Sequence, residues 1–155
     1  MCPYKVFPCA LLAALFVSTI SVLAEDKPAQ ISNGYLPSLG DLMSAVQLRH
    51  SKLFYAARLK NWALADYELS QLNLGLKASR AYSDMPFDLT AMDKVMLLLD
   101  ESIKAKNEVR FELHFGHMTS ECNHCHQVAS RAFIYVRRPA FPSPFSNQVF
   151  GPLGR

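Results

Sequence analysis

Four stretches of this chain place apolar or borderline residues at alternating steps of four and three, with short breaks between them. The first seam is Leu39, Met43, Val46, His50, Leu53 and Ala57; the second is Trp62, Ala65, Leu69, Leu72, Leu76 and Ser79. A third runs through Leu89, Met92, Met96, Leu99 and Ile103, and a fourth through Phe111, Phe115, Met118, Cys122, Cys125, Ala129 and Ala132. That spacing buries one stripe of an α-helix against partners. Ser38, with Asp41 three residues on, predicts a capping-box start for the first helix, Asn61 caps the second, Asp88 restarts the third and Asn107 caps the fourth. Tyr82 to Asp88 is the one sizeable loop expected in the body. Short connections force antiparallel neighbours, so the expected fold is all-α, an up-down-up-down four-helix bundle. No period-two strand pattern and no internal repeat competes.

The fourth seam carries a second constraint. Cys122-Asn123-His124-Cys125-His126 reads C-x-x-C-H, the attachment signature of a c-type haem. On one helical turn two thiols can each reach a vinyl group of one porphyrin, and the following histidine can meet the iron. By composition, roughly a quarter of one per cent of shuffled chains would contain the string, so coincidence is a poor account of it. A redox dithiol wants a βαβ context, which is missing, and a zinc site wants further ligands that no second Cys pair supplies. One covalent haem c is therefore expected between the helices of the bundle.

Residues 1–24 carry a single charge, Lys5, an apolar run from Ala10 to Val17, and Val22-Leu23-Ala24 before Glu25-Asp26-Lys27. This reads as a secretory signal cleaved after Ala24, with a periplasmic destination. Its removal takes Cys2 and Cys9, leaving only the two motif cysteines. Residues 25–37, with Pro28, Asn33-Gly34 and Pro37, read as an extended leader, 38–135 as the four-helix haem-binding domain, and 136–155 as an extended Pro/aromatic tail. About 130 mature residues make one domain with a real core. Without Lys5, the 16 Lys and Arg become 15 against 13 Asp and Glu. No basic stripe points to nucleic acid.

In architecture, Leu39 to Phe133 resembles the class II c-type cytochromes, the cytochrome c-prime and c-556 group, with Cys122 to His126 as the specific motif. The resemblance implies Cys122 and Cys125 as thioether attachment points and His126 as proximal iron ligand. Typical members end soon after the motif, whereas this chain continues from Ile134 to Arg155 with Pro139, Pro142, Pro144 and Pro152 interleaved with Phe141, Phe145 and Phe150. That tail is expected to lie along the bundle and shield apolar surface.

The opposite axial position decides the function. If helix ends align, residues from the mid-forties to Arg49 face the motif. Met43 and His50 both lie inward and both can bind iron, while Gln47 lies off the seam. Counting back from His126 favours His50 as distal ligand, with Met43 as the alternative and Arg49 as a haem-propionate contact. Either ligand makes a low-spin electron carrier, exchanging electrons with redox partner proteins rather than acting as an enzyme. An apolar distal residue such as Val46 would instead leave the iron open to nitric oxide or carbon monoxide, the alternative of a gas sensor or scavenger. A second copy of the chain is a further candidate partner. His114 and His117 are expected at the surface or beside the site, His124 pointing outward, and Trp62 and Tyr67 in packing roles.

Overall fold

The computed structural model describes residues 36–82 and 88–153. The expected signal, most of the leader and the middle of the Tyr82–Asp88 loop lie outside the described residues. Four helices follow in order: α1 Leu39–Arg58, α2 Trp62–Ser79, α3 Thr90–Lys104 and α4 Glu108–Val128. They form an all-α, up-down four-helix bundle, in which α1 packs chiefly on α2 and α3 on α4, with α1 and α4 the loosest of the four neighbouring pairs.

The caps explain where the helices begin. Ser38 Oγ accepts from the Asp41 amide (3.2 Å) while an Asp41 carboxylate oxygen accepts from the Ser38 amide (3.0 Å), so two otherwise orphaned donors are satisfied reciprocally. Asn61 Oδ1 accepts from the Leu64 amide and Asn107 Oδ1 from the Arg110 amide. Asp88 acts as expected but two residues early: its carboxylate takes the Thr90 amide (2.9 Å), and the helix itself starts at Thr90.

The helix ends explain why the turns are so short. Lys60, Lys106 and Ser130 each have positive φ (59°, 51° and 58°), a conformation usually left to Gly or Asn. At α1 the Asn61 amide reaches back to the Ala56 carbonyl and Lys60 to Ala57; at α3 Asn107 reaches Ser102 and Lys106 reaches Ile103. These are Schellman closures, and in both the closing asparagine is also the N-cap of the next helix. One residue thus ends one helix and starts its antiparallel partner.

Inward residues match the seams over most of their length. Val46, Leu53, Leu69, Leu72, Met92, Met96, Leu99, Phe111, Phe115 and Met118 are buried. The fourth seam stops short of its expected end. Ser130 closes α4, its amide bonding the Gln127 carbonyl and the Arg131 amide the His126 carbonyl, so Ala132 is exposed and off the helix.

Tyr55 and Ala56 are buried although they lie off the first seam. For Tyr55 the reason is the tail, which runs back along the α1 and α4 side. Arg138 pairs with Glu112 and lies over the Phe54 ring; the Tyr55 hydroxyl donates to the Ala140 carbonyl. Further on, Phe145 and Phe150 pack on Tyr55 (ring centroids 6.1 and 5.5 Å), and Asn61 Nδ2 donates to the Gly151 carbonyl. Phe150 is 2% exposed. The tail does lie along the bundle, on the side of the loosely packed α1–α4 pair.

Candidate functional site

A cavity of about 540 Å³ opens at the end of the bundle where α1 begins and α4 ends. Leu39, Met43, Val46, Leu72, Leu76 and Met92 give it mostly apolar walls, and Cys122, Cys125 and His126 line it from α4. Small residues make room: Gly40, Ser44 and Ala129 lie in its wall. At Gly75 a Cβ would stand 2.6 Å from Val46 Cγ2, so glycine lets α2 approach α1 just beside the cavity.

Register between α1 and α4 is fixed by three contacts. Arg58 pairs with Glu112 (2.9 Å), the Phe54 ring packs on Phe115 (5.3 Å), and His50 Nε2 lies 2.9 Å from Thr119 Oγ1. Each step along α1 is matched by an opposite step along α4. Carried two turns further, the same register puts Met43 level with His126 and His50 seven residues away, roughly 10 Å along the axis at 1.5 Å per residue. The mid-forties face the motif, as the sequence suggests; counting back from His126 lands on 43 and not on 50.

His50 is 3% exposed and sits at the inner end of the cavity, its ring 4.5 Å from that of Phe115. The Thr119 hydroxyl donates to the Phe115 carbonyl (2.9 Å), so its oxygen is the acceptor facing His50. Nε2 of His50 therefore carries the proton, and its other nitrogen is the one with a lone pair. Burial pushes the imidazole down to about 4, so it is neutral at pH 7.

His126 is held in the opposite tautomer. Its Nδ1 lies 2.8 Å from the Ile134 carbonyl, which can only accept, so Nδ1 carries the proton and Nε2 keeps the lone pair. A metal-binding histidine is commonly oriented in this way, with its second nitrogen bonded to a carbonyl. The Schellman closure at Ser130 and a turn from Arg131 to Ile134 (2.8 Å) bring that carbonyl back to the ring.

Cys122 and Cys125 are free thiols on one face of the last two turns of α4. Burial, and after it the neighbouring Cys125, pushes the Cys122 thiol up to about 12; burial also raises Cys125. Redox dithiols need the reverse, a stabilised thiolate at the positive end of a helix dipole. Among the described residues no three His, Cys, Asp or Glu side chains converge as a zinc ion would require. A haem needs no such cluster, since the porphyrin supplies four of the iron's ligands.

The other candidates fall outside the cavity wall or at its rim. Arg49 is paired with buried Glu68 (3.0 Å) and lies over the Tyr67 ring, on the α2 side. His124 is exposed at the rim. His114 and His117 face each other with ring centroids 6.0 Å apart, off the cavity. Arg131, which lines the cavity, was not among the residues singled out by the sequence, nor were Asn123, Ile134 and Thr119 as partners of the histidines. Asn123 sits inside the motif, where the spacing formula treats it as filler; the others had no signal of their own. Comparison with known protein families, with characterised proteins and with solved structures finds no match for this chain.

Proposed function

We propose that this chain is a periplasmic c-type cytochrome that carries electrons on one covalently attached haem. The observation that carries the proposal is convergence: Cys122, Cys125, His126 and Met43 all line one mostly apolar cavity of about 540 Å³. That volume lies within the range of roughly 300–1,000 Å³ usual for cofactor sites between bundle helices. Bound there, the haem supplies a reversible one-electron couple. Cys122 and Cys125 would hold the porphyrin through thioethers, and burial keeps both as neutral thiols, so the apolar cavity has no thiolate charge to solvate. His126 offers Nε2 as proximal ligand. Arg131 at the rim supplies a positive charge for a propionate, since Arg49 is engaged with Glu68.

Met43 is preferred as distal ligand because the register of α1 on α4 brings it level with His126, whereas His50 lies seven residues further along the axis. Thioether ligation gives a low-spin iron of raised potential, suited to electron transfer. Visible spectra of the holoprotein test this. Met43→Leu is expected to turn a low-spin spectrum high-spin and to admit carbon monoxide, while His50→Gln stays low-spin. A wild type that is already high-spin and avid for carbon monoxide replaces the carrier with a gas-binding protein whose distal wall is Val46. Loss of the low-spin spectrum in His50→Gln alone would return the ligand to His50.

A further inference from the structure

Asn123 lies inside the motif but lines no part of the cavity, and its side chain has two partners on one residue. Its Nδ2 donates to the Val136 carbonyl (2.7 Å) and its Oδ1 accepts from the Val136 amide (2.7 Å). A carboxamide that pairs with both the N–H and the C=O of one residue grips the two peptide groups flanking that residue's Cα and so fixes the residue in distance and in rotation. Two residues earlier, the Ile134 carbonyl bonds His126 Nδ1 (2.8 Å). Among the anchors that hold the tail, the Asn123 pair stands nearest to Ile134 on its C-terminal side, ahead of Arg138 on Glu112 and Ala140 on Tyr55, and before Ile134 the Arg131–Ile134 turn restrains the segment.

We infer that Asn123 is a positioning residue for His126: by clamping Val136 it holds the Ile134 carbonyl on Nδ1 and so presents Nε2 to the cavity before any iron is present. The device joins helix and tail in one short circuit. Asn123 and His126 stand three residues apart, neighbours on one stretch of helix surface, and Ile134 and Val136 stand two apart on the irregular segment that follows the helix. Two contacts therefore match two contacts. A free imidazole exchanges its proton between nitrogens, and a wrong tautomer has no lone pair on Nε2 to give. An Nδ1–H bonded to a carbonyl is also a more basic ligand, which favours ferric over ferrous iron. The segment after the motif thus serves the proximal ligand as well as covering the bundle.

The role of Asn123 toward iron rests on the haem reading above; the clamp itself does not. Both are read on the full chain by nitrogen-15 NMR of the His126 ring, by hydrogen exchange at the Val136 amide, and by the midpoint potential where haem is bound. Wild type is expected to hold His126 as the Nδ1–H tautomer with a protected Val136 amide. Asn123→Ala should speed Val136 exchange at least tenfold and mix the tautomers. Outer contacts of metal ligands are worth roughly 10–100-fold, so the variant should lose at least tenfold in preference for ferric iron, a rise of about 59 mV for one electron. Asn123→Asp, which keeps the acceptor for the Val136 amide and loses the donor, should fall between. A wild type with the Nε2–H tautomer overturns the inference, as does Asn123→Ala with unchanged exchange, tautomer and potential, or with lowered thermal stability alone. A chain that retains no haem refutes the cytochrome reading and leaves the tautomer and exchange measurements to decide the clamp.

Discussion

His50 should make this bundle labile to mild acid. The imidazole is 3% exposed and burial holds it near 4, against 6.5 in the unfolded chain. Above pH 6.5 neither state binds this proton and the contribution of neutral, hydrogen-bonded His50 is fully present. As pH falls from 6.5 toward 4 the unfolded chain takes up the proton and the folded chain does not, so stability drops; below about 4 both are protonated and His50 adds no further loss. A gap of about 2.5 pKa units at 1.36 kcal/mol each gives about 3 kcal/mol. Against a usual net stability of about 5–15 kcal/mol that is a large share. The assay is urea unfolding of the holoprotein from pH 7 to pH 4, wild type against His50→Gln. Glutamine keeps a group able to donate to Thr119 but does not titrate. Carboxylates common to both chains cancel in the comparison, so the difference between the two curves should shift by about 3 kcal/mol in favour of the variant. Parallel curves would mean that His50 is hydrated or charged in the folded state, and the argument from burial would fail.

Two close contacts can be tested by changing packing alone. Gly75→Ala places a methyl 2.6 Å from Val46 Cγ2, so overpacking should outweigh the gain in helix propensity and cost on the order of 1–2 kcal/mol; Val46→Ala should relieve the strain in the double variant, and a raised melting temperature in Gly75→Ala alone would contradict the close approach. Phe150→Ala removes a side chain that is 2% exposed against Tyr55 and Phe145 and should cost about 3 kcal/mol in thermal or urea unfolding, whereas no change would mean that the tail is not docked.

Local chemistry was the legible part of the fold. Ser38, Asn61 and Asn107 are caps whose side chains bond their own backbone a few residues on, and such bonds depend on residue type and spacing alone. The seams were legible for the same reason. Ser130 was not, because a serine at positive φ carries no mark of it in the sequence, and the fourth seam therefore reads on through Ala132 as if the helix continued. Tyr55 is buried by residues about ninety positions away, and no periodicity within α1 can report that. Register was the costly omission. Aligning helix ends leaves the match between α1 and α4 open by about two turns, enough to bring either His50 or Met43 level with the motif; the helix register itself follows from three side-chain pairs, Arg58–Glu112, Phe54–Phe115 and His50–Thr119, none visible in either helix alone. Cys122, Cys125 and His126 could be named at once as candidates because the motif is itself a short-range arrangement, and all three line the cavity. The partners that orient the two histidines, Thr119 and Ile134, could not, because each comes from a different part of the chain.

The central claim is that haem is bonded to this polypeptide at Cys122 and Cys125. Protein produced in cells with the cytochrome c maturation machinery, denatured, extracted with acid–acetone and cut with trypsin tests it directly by mass spectrometry. The account predicts that the peptide from Phe111 to Arg131 carries the added mass of one haem, and that the Cys122→Ala, Cys125→Ala chain yields the same peptide without it. A wild-type peptide with two unmodified thiols, from cells that attach haem to another c-type cytochrome in the same culture, would contradict the account.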